Sequence, residues 1–161
     1  MAFQGFSGPA LTGVGNPATV YDSAIVPVGT VATDTAANEY IFLPGVASVV
    51  AGDGVTYNPS TYATTRIAGN AIGPVAFFRA AVVANKYGWA QIKGVVPGVN
   101  CDSGVVLSSA LYIDGTTGRV DDTKVVGDLI LGAFAASTDT SNKCDVLLTE
   151  RPYVTDVLPA A

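Results

Sequence analysis

Few side chains in this sequence of 161 residues could carry chemistry. Histidine is absent, which removes imidazole bases, His-activated Ser or Cys nucleophiles and His metal ligands. Carboxylates and thiols remain. Asp102-Ser103-Gly104 would do acid–base work if a second copy of the chain set another Asp102 beside it, because two carboxylates in close contact share one proton. Asp114, Asp121 and Asp122 offer oxygen atoms to Ca²⁺, but their spacing does not fit an EF-hand loop, and solvated turn carboxylates account for them. Cys101 and Cys144 match no metal spacing. Cys144 alternates with Val146 and Leu148 and so points into a core; a buried free thiol is the expectation, a disulfide the alternative. Gly13-Val14-Gly15-Asn16-Pro17-Ala18 fits a loose G-x-G-x-x-A. No strand precedes it, and Pro17 with β-branched residues follows, so no helix N-terminus is offered to a phosphate.

The Asp-Ser-Gly triplet resembles the signature of aspartic proteases, and Leu129-Ile130-Leu131-Gly132 resembles the apolar segment that supports such a site. However, Asn100 and Cys101 stand where that family has an apolar strand entry, and Val105 follows Gly104 where a small-residue turn would begin. An Asp-Ser turn leading through Gly104 into a strand is the reading adopted. The chain is therefore expected not to be an enzyme, with no catalytic residue, no metal and no cofactor.

The elements that position these residues are strands. Gly, Pro, Val and Thr disfavour helix interiors, and short β-branched runs alternate with Gly, Asn, Asp and Pro. Strands are expected near 40–43, 47–50, 55–57, 74–83, 88–96, 110–113, 128–136 and 144–149, with Asp114-Gly115 marking a hairpin. The fold class is all-β, a compact β-sandwich or β-barrel with an extended N-terminal arm. A faint repeat appears when residues 47–94 are laid on 103–150: Val49-Val50 falls on Val105-Val106, Asn58-Pro59 on Asp114-Gly115 and Phe78 on Phe134. Chance recurrence of β patterning and true duplication both account for it.

Charged residues make up 13% and apolar residues 49%, a sparse charge supply for a free monomer that suits one hiding much of its surface against partners. The net charge of −5, with no basic run, excludes tracking of a phosphate backbone, so no nucleic-acid partner is expected. No apolar run approaches the ~20 residues that span a bilayer, and the start lacks a basic end followed by an apolar block, so neither a membrane nor export is expected.

Residues 1–30 read as an extended arm, 31–152 as the β domain and 153–161 as a short tail. The arm holds Phe3, Phe6, Leu11, Tyr21 and Ile25 among glycines and prolines, with no period of strand or helix. It lies either on a partner or on its own domain. In Tyr87-Gly88-Trp89-Ala90-Gln91-Ile92-Lys93-Gly94 the even positions are small or apolar, while Tyr87, Trp89, Gln91 and Lys93 share the other face. A face that mixes two aromatics with Gln and Lys is part-buried, either beneath a loop of the same chain or against another subunit. Phe3, Phe6, Leu11, Tyr21, Ile25, Tyr87 and Trp89 are thus the candidates for contact with another protein.

That strand, together with "VAFFRAAVVAN" before it and "LYIDGTTGRV" and "GDLILGAFAAS…CDVLLTE" after it, resembles the small capsid decoration (cement) proteins of tailed bacteriophages. The resemblance covers roughly residues 47–151 and leaves the arm out. It implies a structural protein made in the bacterial cytoplasm and placed on the outer surface of the virion. It also implies binding to the major capsid protein, and a homo-oligomer, with a trimer favoured. The alternative is another phage structural or glycan-binding adhesive component, such as a head-fibre base or tail protein, with Trp89 as its sugar platform.

Overall fold

A computed structural model describes residues 15–155. They form ten strands and no helix: β1 Val31–Thr33, β2 Glu39–Pro44, β3 Gly54–Tyr57, β4 Thr64–Arg66, β5 Gly73–Phe78, β6 Tyr87–Asn100, β7 Ala110–Ile113, β8 Val120–Asp121, β9 Leu129–Ala135 and β10 Lys143–Val154. Every strand pairing is antiparallel, in the order β1-β2-β6-β5-β10-β9-β7-β8, with β3 on β5, β4 on β3 and β6 also on β10. The sheet does not close. β1, β4 and β8 each have one partner only, so the barrel alternative is corrected to an open sheet. Residues 47–50 are a turn rather than the expected strand, because Ser48 is left-handed and the Asp53 carboxylate captures the Val50 N–H at 3.0 Å.

The repeat seen faintly in the sequence governs the architecture. Residues 39–94 recur as 95–150 with an offset of 56 positions, so that β3 (from Gly54) becomes β7 (from Ala110) and β5 (from Gly73) becomes β9 (from Leu129). β6 begins at Tyr87 and β10 at Lys143, the same offset. β2 becomes the second half of β6, which closes one repeat and opens the next without a break. Turns follow the same rule. Asn58 N donates to Ala63 O as Asp114 N does to Arg119 O, and Gly45 N to Lys86 O as Cys101 N does to Asn142 O. Left-handed residues also recur in pairs: Ser48 and Gly104, Gly52 and Ser108, Tyr62 and Gly118, Asn85 and Ser141.

Each repeat buries one face of its own. Leu43, Val49, Val55, Ala90 and Ile92 occupy the first core, and their counterparts Val99, Val105, Leu111, Val146 and Leu148 occupy the second. The second core also takes in Ile67, Val75 and Phe77 from the first repeat, so the repeats share buried surface. The β7–β8 turn stitches them further, with Gly54 N donating to Gly118 O at 2.9 Å and Gly118 N to Ile67 O at 2.8 Å. Gly52 shows how far the copies have diverged. It is left-handed (φ 92°), and a Cβ there would stand 2.3 Å from Gly98 O. Gly52→Ala should cost roughly 2 kcal/mol, whereas Ser108→Ala, at the equivalent position that already bears a side chain, should change the urea midpoint little.

Candidate functional site

Trp89 lies beneath its own chain. Residues 15–30 cross the face of β2 and β6, tied by Tyr21 N to Tyr87 O and Tyr87 N to Tyr21 O, both at 2.9 Å, and by Gly29 N to Phe42 O at 2.7 Å. Under them Phe42 meets Trp89 edge-on at 5.1 Å between centroids and stacks with Tyr87 at 6.1 Å. Tyr21 closes the group over Phe42, and a Cβ on Gly15 would fall 2.5 Å from Trp89 Nε1. The ring is fully buried, packed inside the chain rather than presented to a partner. Tyr21 and Tyr87 are half-buried, and Ile25 is 45% exposed. Phe3, Phe6 and Leu11 lie outside the described residues.

The carboxylates sort differently from their order in the sequence. Asp102, Asp114 and Asp121 gather within 4.8 Å of one another, partly buried. Asp122, expected with the last two, instead accepts from Val106 N at 3.0 Å and Ser109 Oγ at 3.1 Å. Asp114 accepts from Thr116 N and Asp121 from Asp122 N, which leaves three carboxylates as a fraction of the six to eight oxygens that Ca²⁺ takes. Cys101 and Cys144 are free thiols buried in the second core, and burial pushes both above the ordinary thiol range. Thiols so placed are inert.

Two carboxylates missed in the sequence hold the first repeat and the turn that leads into it. Asp53, 1% exposed, accepts from Arg66 Nη2 at 2.8 Å, Asn100 Nδ2 at 2.7 Å and Val50 N at 3.0 Å. Asp34 closes the β1–β2 turn, accepting from Asn38 Nδ2 at 2.9 Å and Tyr40 Oη at 3.1 Å. Burial opposes the Asp34 charge, but the hydrogen bonds from Asn38, Tyr40 and Ala36 outweigh it and hold the carboxyl below its ordinary 3.8. Burial, with Asp34 beside it, pushes the Tyr40 hydroxyl up to about 12. A depressed carboxyl stabilises the fold above its unfolded value and loses that contribution as pH falls through the folded value. A raised phenol stabilises below 10 and loses its contribution as pH climbs through about 12. The urea midpoint should therefore decline on both sides, and Asp34→Asn should flatten the acid limb below about pH 4. An unchanged acid limb in that variant would refute this assignment.

The second repeat leaves one sheet face bare. Val95, Leu147 and Phe134 lie directly opposite one another across β6, β10 and β9, and they are 47%, 38% and 38% exposed. Of their counterparts in the first repeat, Gln91 and Phe78 are buried and Glu39 is partly exposed. Leu131 and Tyr153 form a second exposed pair on β9 and β10. No helix among the described residues is long and apolar enough to cross a membrane. Comparison of the chain with protein-family models, curated proteins and solved structures finds no match.

Proposed function

We propose that the chain is a structural virion protein that binds the outer surface of a bacteriophage capsid and fastens the major capsid protein lattice, acting as a homo-oligomer, with a trimer expected. The observation that carries this reading is the bare apolar row of Val95, Leu147 and Phe134, set in a chain with only 13% charged residues. A face of this kind gains free energy when another protein covers it, at roughly 25 cal/mol per Å² of apolar surface. The resemblance of the Tyr87–Gly94 strand and the hairpin after it to decoration proteins supports the same reading. The glycan-binding alternative loses its strongest platform, since the Trp89 ring lies in the core.

The test is co-sedimentation of the purified chain with expanded heads, lacking it, of the phage that carries its gene, together with electron microscopy of complete virions. Saturable binding and added density on the head exterior are expected. Absence of both would overturn the reading. Leu147→Asp, on the exposed face, should weaken binding without lowering the melting temperature.

A further inference from the structure

Three partly exposed tyrosines stand on one face of the sheet, each on an alternate strand. Thr56 pairs with Val75, so Tyr57 of β3 follows opposite Pro74 of β5. Pro74 pairs with Tyr153 of β10, and Tyr153 with Leu131 of β9. Further along β9, Leu129 pairs with Tyr112 of β7. Paired residues share a face, as do alternate residues of one strand. Tyr57, Tyr153 and Tyr112 thus follow one another across β3, β5, β10, β9 and β7. Strand spacing sets Tyr57 and Tyr153 roughly 10 Å apart, and Tyr153 and Tyr112 about 12 Å apart on the diagonal.

The face is hollowed along this line. Tyr57, Pro74 and Tyr153 line a cleft of about 420 Å³, and Leu131, Leu129 and Tyr112 one of about 300 Å³. The Tyr153–Leu131 pair joins the clefts end to end, so they form one trough. Lys124 is the only charged residue that lines either cleft among the described residues. Asn58 also lines the first cleft. Its Oδ1 accepts from Ser60 N at 2.8 Å and Thr61 N at 3.0 Å, which fixes the amide, while Nδ2 finds no acceptor among the described residues.

From this arrangement we propose that the trough binds an extended, neutral β-1,4-linked glycan, whose sugar rings lie on Tyr57, Tyr153 and Tyr112 and whose hydroxyls accept from Asn58 Nδ2. A sugar ring has an apolar C–H face and a rim of hydroxyls. Tyrosine matches it with an apolar ring and a polar tip. The step of ~10 Å between tyrosines suits the disaccharide repeat of an extended β-1,4-linked chain. A strongly charged ligand would find only Lys124. A peptide fits poorly, because the trough crosses strands that are already paired on both sides and offers no free edge to its backbone. Trp89 takes no part in this site, and the inference does not rest on the capsid reading.

Affinity electrophoresis of the full chain through gels holding hydroxyethylcellulose, galactomannan or arabinoxylan tests it. At least one polymer should retard the chain. A hexasaccharide of that polymer's backbone should bind roughly tenfold or more tighter than the disaccharide, since only the longer chain reaches all three rings. Tyr153→Ala, at a ring that is 41% exposed, should weaken binding by a similar factor. Asn58→Asp keeps the acceptor that holds the turn but removes the donor, and should weaken binding several-fold at an unchanged melting temperature. If Tyr153→Ala melts lower than the wild type, Asn58→Asp decides the matter alone. Free migration in all three gels, equal affinity for the disaccharide, or undiminished binding by the variants overturns the proposal. A proline-rich peptide bound in place of every glycan, and lost in Tyr153→Ala, would make the trough a peptide groove and also overturn it.

Discussion

Replacing Trp89 by alanine should lower stability by about 3–5 kcal/mol, the range for deleting a large buried aromatic side chain. At ~2–4 °C per kcal/mol for a chain of this size, the melting temperature should fall by roughly 6–20 °C. The ring holds three things together: the β2–β6 pair on which it sits, the edge contact with Phe42, and the underside of residues 15–30. Its loss would leave a void that Gly15 has no side chain to fill. Trp89→Phe should recover much of the loss, because the indole N–H finds no hydrogen-bond acceptor among the described residues. Thermal and urea denaturation read both variants. Unchanged stability in Trp89→Ala would show that the cover formed by residues 15–30 contributes nothing.

Arg66→Ala should cost about 3 kcal/mol, toward the low end for breaking a buried ion pair, since Arg66 is 23% exposed and Asp53 only 1%. The loss comes from what is left behind. Asp53 would be left with only Asn100 Nδ2 and Val50 N as donors. Arg66 also donates to Thr117 O at 2.9 Å and so helps to hold the β7–β8 turn against the first repeat. Adding Asp53→Asn to Arg66→Ala removes the stranded charge, so the double variant should lose clearly less than the sum of the two single losses. Strict additivity would mean that the two side chains do not support one another.

Much of the strand content was legible because alternation survives where both faces of a strand differ. Residues 110–113 alternate clearly and were placed without error. Val49-Val50 misled because β-branched residues read as strand whether the chain extends or turns, and the left-handed Ser48 carries no mark in its own type. Its counterpart is Gly104, and Tyr62 is likewise matched by Gly118, so glycine in either copy flags the turn in both. β10 runs on past Glu150-Arg151-Pro152, which looks like an ending. The proline lacks an N–H, and it falls where the register with β9 breaks between Leu148 and Tyr153. β1, β4 and β8 span three residues or fewer, too short for any period to show.

At the candidate site, composition pointed to hidden surface but not to its location. The polar and aromatic face of the Tyr87–Gly94 strand was visible, while the identity of its cover was not, because residues 15–30 have no periodic pattern. The bare row on β6, β10 and β9 depends on cross-strand register, which joins positions 95, 134 and 147 across long stretches of sequence. Asp102 joined Asp114 and Asp121 for the same reason.

The two cysteines sit where the first repeat has Gly45 and Gly88, and the only tryptophan sits in the first repeat beneath residues 15–30. Each half of the molecule thus carries its own spectroscopic or chemical reporter of opening: indole fluorescence for one, thiol alkylation for the other. Ile67, Val75 and Phe77 lodge in the second core, so neither half can open without exposing apolar surface of the other. The two reporters should therefore change together along a denaturant series, as a single cooperative unit, despite the duplication written into the chain.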